Sequence, residues 1–205
     1  MLATRFTALI GCTVPIQQAA MGAIATPELA AAVSQAGALG MLGASRPGIT
    51  PALLRPLLDA VHARTSSPFG VNFVASSGQL ALLDLKCVEL AARSARVVEF
   101  FFGEPNRDLV AMVHAGGTLV SWQVGSREEA LSAQTTGCDL IMVQGTEAGG
   151  FNRGTIGLHA LLDAVLSEVD VPVLAAGGIG NGRAMAAALA AGAPVALARR
   201  SAAAA

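Results

Sequence analysis

The sequence predicts an α/β fold, specifically a (β/α)₈ TIM barrel, from three features of the chain. Short apolar segments typical of buried strands begin near residues 15, 39, 69, 97, 118, 140, 171 and 194. Helical segments lie between them, so the strand starts are 21 to 31 residues apart, as in parallel βαβ units. A composition of 53% hydrophobic and 13% charged residues suits strands that are buried on both faces. Eight such units close a barrel, and a doubly wound open sheet is the alternative.

Local signals predict the helices of the first half of the chain. Thr26-Pro-Glu28 begins a helix, because threonine can cap it, proline fits the first helical position and glutamate favours the positive helix end. Thr50-Pro51 begins the next helix by the same device. Residues 80–92 carry apolar side chains at helical spacing and predict a third helix.

The second half continues the alternation. A helix over residues 107–115 is closed by Gly116 and Gly117. Ser126 and Glu129 have the spacing of a capping box. Two more helices are predicted over residues 158–168 and 183–191, and residues 194–198 could form an eighth strand.

The C-terminal segment departs from this pattern. We expect a single domain over residues 1–205, with residues 194–205 forming an aberrant tail that carries no turn chemistry and no following helix. A full barrel typically takes about 250 residues. We therefore expect a barrel that is incomplete at the C-terminus, with an aberrant last strand, no closing helix and exposed strand edges.

Charge, hydropathy and cysteine usage exclude several function classes. A net charge of −1 offers no electrostatic basis for nucleic-acid binding. No apolar run approaches the roughly 18 residues of a membrane span. The three cysteines, Cys12, Cys87 and Cys138, are far apart and form neither a disulfide framework nor a metal site. Reduced thiols in a cytoplasmic protein are the simplest interpretation.

The residues predicted at the carboxyl ends of the strands indicate where a ligand would bind, since barrels bind ligands there. A buried strand over residues 140–143 opens onto a loop with four glycines between residues 145 and 154. These strand ends are rich in amides and glycines and poor in acids and bases; they are Gln17, Met21, Asn72, Glu99, Gln123, residues 144–150 and residues 177–182. Such a set suits a flat polar cofactor.

Several of these residues allow two interpretations. Gly177 and Gly178 precede a helix, so they form either a phosphate site at its N-terminus or an ordinary turn. Asn72 is either a turn residue or an amide aimed at a ligand. Met21 is either a core residue or a thioether facing a cofactor. A lone loop carboxylate such as Glu147 is usually solvated.

Five segments together resemble the nitronate monooxygenase family, also called the 2-nitropropane dioxygenase family. They are Pro15-Ile-Gln followed by Met21, Ala36-Gly-Ala-Leu-Gly-Met-Leu-Gly43, Phe69-Gly-Val-Asn72, Gln144-Gly-Thr-Glu-Ala-Gly-Gly150 and Ala175-Ala-Gly-Gly-Ile179. The resemblance covers about residues 12 to 193. It implies an FMN-dependent barrel that oxidises alkyl nitronates with O₂ to a carbonyl compound and nitrite. By matching position, the implied FMN contacts are Met21, Gly22, Asn72, Gln144, Gly149, Gly177 and Gly178.

Two departures from the family pattern affect these expectations. Phe151 stands where the family motif has its active-site histidine, and phenylalanine can neither move a proton nor donate a hydrogen bond. No catalytic residue is therefore intact. Residues 194–205 also lack the family's last strand and its phosphate-binding turn, as in a truncated or frameshifted end, so we expect weak FMN binding and poor stability.

Two alternatives to a nitronate monooxygenase stay open. A flavin-dependent enoyl-ACP reductase uses the same barrel, and an inactive remnant would bind FMN poorly or not at all. The expected partners are a small-molecule nitronate and O₂, without nucleic acid, membrane or metal. A homodimer is an assembly that the sequence leaves open.

Overall fold

The chain folds into an eight-stranded parallel barrel with helices packed around it. The computed structural model describes residues 2–45, 48–75 and 83–197. The strands are β1 Ile16–Gln18, β2 Gly40–Gly43, β3 Phe69–Val74, β4 Val97–Phe101, β5 Leu119–Val124, β6 Leu140–Gln144, β7 Val173–Ala176 and β8 Val195–Leu197. The helices are α1 Arg5–Ile10, α2 Pro27–Gln35, α3 Pro51–His62, α4 Leu85–Ala92, α5 Arg107–Ala115, α6 Arg127–Thr136, α7 Leu158–Leu166 and α8 Gly182–Ala190.

The sheet closes on itself. Its order is β1-β8-β7-β6-β5-β4-β3-β2, with parallel neighbours throughout. The remaining seam is a parallel bridge between Gln17 and Leu39, where the Gln18 amide donates to the Leu39 carbonyl at 2.8 Å. The predicted (β/α)₈ class is confirmed, and the doubly wound alternative does not apply.

The eighth strand corrects one expectation from the sequence. Val195–Leu197 is short, but all three of its residues pair with β1, and Val195 and Ala196 also pair with β7. Because both sides of β8 are bonded, the exposed strand edges expected from residues 194–205 are not found in the part of the chain that the structure describes. The predicted absence of a closing helix concerns residues 198–205, which lie outside the described residues.

Strand alternation separates two apolar regions. Successive strand residues point to opposite faces, so Val98, Phe100, Val120 and Trp122 pack outward against the helices. The inward-facing cluster contains Phe6, Ile10, Leu39, Met41, Val97, Leu140, Met142, Leu174 and Ala176. Apolar side chains therefore fill the interior over most of the length of the barrel.

An N-terminal helix that the sequence reading did not predict fills the bottom of the barrel. The Thr4 hydroxyl caps α1 by accepting from the Thr7 amide at 3.1 Å, and Gly11 ends it with φ of 86°. Phe6 and Ile10 are 0% and 2% exposed and pack with the inward-facing strand residues. This amphipathic turn closes the end of the barrel opposite to the carboxyl ends of the strands.

Two of the three predicted capping residues cap their helices, whereas Thr50 precedes α3 without a side-chain cap. Thr26 accepts from the Leu29 amide at 3.3 Å, and Ser126 accepts from the Glu129 amide at 3.2 Å. The helix predicted over residues 80–92 begins at Leu85, because the Asp84 carboxylate caps it at the Lys86 amide; residues 80–82 lie outside the described residues. Within the described ranges, no helix has both the length and the apolarity needed to cross a membrane.

Removing the Phe6 ring should destabilise the protein strongly. Phe6→Ala leaves a cavity at the closed end of the barrel, and such truncations cost about 3–5 kcal/mol in the free energy of unfolding. Urea denaturation measures the loss. Leu2→Ala is the matched control, because Leu2 is 54% exposed and should change stability by less than about 0.5 kcal/mol. Equal effects of the two substitutions would contradict the placement of α1.

Candidate functional site

The candidate site lies at the carboxyl ends of the strands, where the interior of the barrel changes from apolar to polar. Asn72 ends the pairing of β3 with β2, and Gln144 is the last residue of β6. The two side chains are 6% and 4% exposed. Both predicted amides therefore lie buried at the same end of the barrel.

A fully buried carboxyl group, Glu99 on β4, organises the polar layer. It is 1% exposed. Gln17 Nε2 donates to its Oε2 at 2.6 Å, Asn72 Nδ2 donates to its Oε1 at 3.0 Å, and Ser121 Oγ lies 3.5 Å from Oε2. Side chains from β1, β3, β4 and β5 thus meet in one hydrogen-bonded network.

The environment of Glu99 raises its pKa above the ordinary range for glutamate. Burial is the main cause, because it disfavours the charged form. Hydrogen bonds from Gln17, Asn72 and Ser121 act in the opposite direction but are the smaller effects. Glu99 is therefore a buried acid whose protonated form the fold favours.

Two buried amide oxygens have no hydrogen-bond partner among the described residues. They are Gln17 Oε1 and Gln144 Oε1. An unsatisfied buried acceptor costs about 1–3 kcal/mol. A half-turn of the Gln17 amide would bring its Oε1 to Glu99 and let the protonated acid donate to it. A half-turn of the Gln144 amide would not satisfy its Oε1, because its Nε2 already donates to the Phe151 carbonyl at 3.0 Å. The Oε1 of Gln144 is therefore available to a donor on a ligand.

The loop after β1 brings Met21 and Gly22 to the same end of the barrel. A 3₁₀ turn covers Gly22–Ile24, and the Gly43 amide donates to the Ala25 carbonyl at 3.0 Å. A Cβ on Gly43 would lie 2.0 Å from the Gly22 carbonyl oxygen. Glycine at position 43 is thus required for the close approach of this loop to β2. Met21 is half-buried.

Gly177 and Gly178 lie against the loop that follows β6. Their φ angles of 129° and 64° favour glycine at both positions. A Cβ on Gly177 would lie 3.2 Å from the Ala148 amide nitrogen, and one on Gly178 would lie 3.1 Å from Glu147 Cβ. A cavity of about 150 Å³ adjoins both glycines and is lined by Glu147, Leu158, His159, Gly177, Gly178, Ile179, Ala184 and Ala188.

The carboxylate of Glu147 occupies one of the two helix starts beside this cavity. Its Oε2 accepts from the Leu158 amide at 2.9 Å and so caps α7. At the other helix start, the Asn181 side chain caps α8 at the Ala184 amide. A phosphate at Gly177 and Gly178 would therefore bind beside a negative charge, which weakens the anion site expected there.

The Gly-rich loop after β6 holds Phe151 at the mouth of the barrel. Phe151 is 78% exposed, and its carbonyl accepts from Gln144 as described above. The loop is also fixed by Arg153, whose guanidinium lies 2.5 Å from Glu129 and 2.6 Å from Glu104. Gly149 is exposed, and a Cβ there would meet nothing within 4 Å, so the structure does not tie Gly149 to the other candidates.

The candidate residues form three contact groups at one end of the barrel rather than a single cluster. Met21 and Gly22 adjoin β2, Asn72 adjoins Glu99, and Gln144 belongs with the loops around Gly177 and Gly178. The sequence reading placed Gln17 and Glu99 at strand ends but did not link them. The spacing of Val97, Glu99 and Phe101 on one strand face would have indicated that Glu99 points into the barrel.

Replacing Glu99 with glutamine should change how stability depends on pH. The pKa of Glu99 is higher in the folded state than in the unfolded state. The contribution of Glu99 to the free energy of unfolding is therefore fully present below the unfolded pKa of about 4.5, and it is lost as pH rises through the folded pKa. Glu99→Gln removes this loss. We expect the variant to gain stability relative to the native chain as pH rises from about 4.5 towards the folded pKa, as measured by urea unfolding at a series of pH values.

Glu89→Gln is the control for that experiment. Glu89 is exposed on α4, and its substitution changes the net charge by the same amount. We expect its unfolding curves to run parallel to those of the native chain. If Glu99→Gln also gave a parallel pH dependence, the carboxyl group would not be held protonated by the fold.

Comparison with known proteins agrees with this geometry. The family model described as nitronate monooxygenase matches residues 3–200. A nitronate monooxygenase of Pseudomonas aeruginosa is 35% identical over 233 residues, covering 92% of this chain and 66% of the relative. The structure of FabK from Thermotoga maritima superposes with a TM-score of 0.86 at 35% identity, covering 97% of this chain and 61% of FabK.

A further relative carries a different activity in its name. A 5-hydroxy-7a-methyl-1-oxo-octahydro-1H-indene-4-carboxyl-CoA dehydrogenase of Rhodococcus jostii is 37% identical over 193 residues, which is 94% of this chain and 52% of the relative. The chain thus spans about half the length of this relative. Because the family model covers nearly the whole sequence, the chain belongs to the nitronate monooxygenase family, a family of flavin-dependent oxidoreductases.

Proposed function

We propose that the chain is an FMN-dependent nitronate monooxygenase that oxidises alkyl nitronates with O₂ to a carbonyl compound and nitrite. The observation that carries the proposal is the buried Oε1 of Gln144 at the carboxyl ends of the strands, which has no partner among the residues that the structure describes. In balanced form, two nitronate anions and one O₂ give two carbonyl compounds and two nitrite ions. We place this activity in a single domain over residues 1–205.

The donor and acceptor groups of the site fit a flavin. An isoalloxazine ring presents an N–H donor and carbonyl acceptors along one edge, and Gln144 Oε1 is an acceptor without a partner in the described structure. We assign the ring contacts to Met21, Asn72 and Gln144. Bound FMN would supply the electron-transfer chemistry of the reaction.

We assign the phosphate of FMN to Gly177 and Gly178, with Gly22 and Gly149 as further contacts by family position. The left-handed backbone at residues 177 and 178 and the adjacent start of α8 support a main-chain anion site. The nearby Glu147 carboxylate opposes it. We therefore expect weak FMN binding, because the Glu147 carboxylate lies beside the proposed phosphate site.

The chain's own residues limit which substrates can react. A nitronate is already an anion, so its oxidation needs no residue to remove a proton from carbon. A neutral nitroalkane does need a base, and Phe151 cannot serve as one. The carboxyl groups of Glu99 and Glu147 do not compensate, because Glu99 is buried below the mouth and Glu147 is bonded to the start of α7. The geometry thus favours nitronates over nitroalkanes.

A second candidate is flavin-dependent oxidoreduction of an acyl thioester, which includes the enoyl-ACP reductase alternative. The similarity to a relative named as an indene-4-carboxyl-CoA dehydrogenase favours it. An enoyl reductase would consume NAD(P)H when given an enoyl thioester. NAD(P)H consumption without nitrite release from a nitronate would replace the first proposal with this one.

Restoring the histidine should extend the activity from nitronates to neutral nitroalkanes. We expect the FMN-loaded native chain to release nitrite from ethyl nitronate but hardly from nitroethane. Phe151→His should raise the rate with nitroethane at least about tenfold, because a positioned general base is worth about 10²–10⁴ in rate. Nitrite formation in air measures both reactions.

Phe151→Gln is the matched control, since glutamine is polar but cannot act as a base near neutral pH. It should leave the nitroethane rate at the native level. If the native chain released no nitrite from ethyl nitronate with FMN bound, the proposed function would be wrong. If Phe151→His and Phe151→Gln behaved alike, position 151 would not explain the substrate limit.

A further inference from the structure

Three phenylalanines form an aromatic cluster at the mouth of the barrel. The ring centroids of Phe101 and Phe102 are 5.3 Å apart, and those of Phe102 and Phe151 are 6.3 Å apart, both in edge-on arrangements. Phe101 follows Glu99 by two residues on β4, so both side chains lie on the inward face. The cluster therefore stands directly after the polar layer along the barrel axis.

The backbone holds Phe102 in a strained conformation. Its φ of 68° is the only positive value for a non-glycine residue in the described ranges, and such strain for a bulky residue is concentrated at functional sites. Gly103, the next residue, is held in place because Trp122 Nε1 donates to its carbonyl at 2.9 Å. A Cβ on Gly103 would lie 1.8 Å from the Ala75 carbonyl oxygen. The surroundings thus impose the orientation of Phe102.

The loop that carries Phe151 is fixed through Arg153. Arg153 lies with its guanidinium carbon 6.0 Å from the centre of the Phe102 ring. Its ion pairs with Glu104 and Glu129 connect the loop after β6 to the loop after β4 and to α6. The Phe151 ring is nevertheless 78% exposed. Together with Phe102, the exposed Phe151 ring gives the mouth of the barrel an apolar face that can contact an apolar group of a ligand.

We propose that Phe102 and Phe151 are specificity-determining residues that select substrates carrying a ring on the reacting carbon over short-chain substrates. The occupant of this surface is the ring of the substrate itself, packed edge-on or offset against the two phenylalanines. The polar reacting group then lies on the side of Gln144, whose Nε2 is bonded to the Phe151 backbone. This proposal rests on the proposed function, which supplies the nitronate as the reacting group, and it adds that the substrate carries a ring.

Competing nitronates test the proposal on the FMN-loaded full chain. The probes are phenylmethyl nitronate, which carries a ring, and ethyl nitronate, which does not. We expect the native chain to have a higher kcat/KM for the ring-bearing probe. Phe151→Ala should reduce that preference about fivefold, mainly through a higher KM, because aromatic contacts of this kind are each worth a few-fold in affinity.

A second variant and a control separate specificity from folding. Phe102→Leu keeps an apolar side chain at the strained position but removes the ring, and it should also reduce the preference. Leu53→Ala removes an apolar side chain that is 59% exposed on α3 and should leave the preference unchanged. Retention of the native preference in both phenylalanine variants would overturn the proposal, as would an absence of preference in the native chain.

A binding measurement distinguishes this proposal from the proposed function. Phenylacetate and propionate are unreactive carboxylates that match the two classes of probe, and calorimetry gives their dissociation constants without turnover. Tighter binding of phenylacetate to the native chain but not to Phe151→Ala supports the ring surface even if no nitrite forms from any nitronate. Equal binding of the two carboxylates to the native chain contradicts it.

Discussion

The buried carboxyl group of Glu99 determines where the core of this barrel ends and its binding site begins. Gln17 and Asn72, from β1 and β3, donate to it at 2.6 and 3.0 Å. Below this layer, the inward-facing side chains are apolar and closed off by Phe6 and Ile10. A carboxyl group can be buried so deeply only when hydrogen bonds satisfy it. Amides are therefore needed on the neighbouring strands, and Gln17 and Asn72 supply them.

The polar layer and the aromatic cluster divide the mouth of the barrel into two chemical environments. Gln144 presents a buried oxygen that has no partner in the described part of the chain, whereas Phe151 presents an exposed ring. The hydrogen bond from Gln144 to the Phe151 carbonyl joins the two. Such a site suits a ligand with a polar reacting end and an apolar body. Under the proposed function, a flavin would perform the redox chemistry, and the chain would then need few acids and bases of its own.

Local patterns were sufficient to predict the alternation of strands and helices, because each buried strand is a short apolar run and Thr26 and Ser126 form the caps that the sequence indicates. Helix α1 was missed, since its role depends on the barrel interior that Phe6 fills. Strand β8 was doubted because its residues lack the family pattern, yet its main-chain pairing with β1 and β7 does not depend on that pattern. The network around Glu99 and the ion pairs of Arg153 join residues far apart in sequence, so only the register of the sheet reveals them.

Titration of the purified full chain with FMN, followed by flavin fluorescence, tests the central claim that buried amides at the strand ends form a flavin site. The decisive comparison is with Gln144→Leu, which keeps the side-chain size but removes the unpartnered oxygen together with the hydrogen bond to the Phe151 carbonyl. Gln35→Leu at the exposed end of α2 is the control. We expect the native chain and the control to bind one FMN each, and Gln144→Leu to bind it about three- to tenfold more weakly. Equal affinity of Gln144→Leu and the native chain, or no FMN binding by either, would contradict the claim.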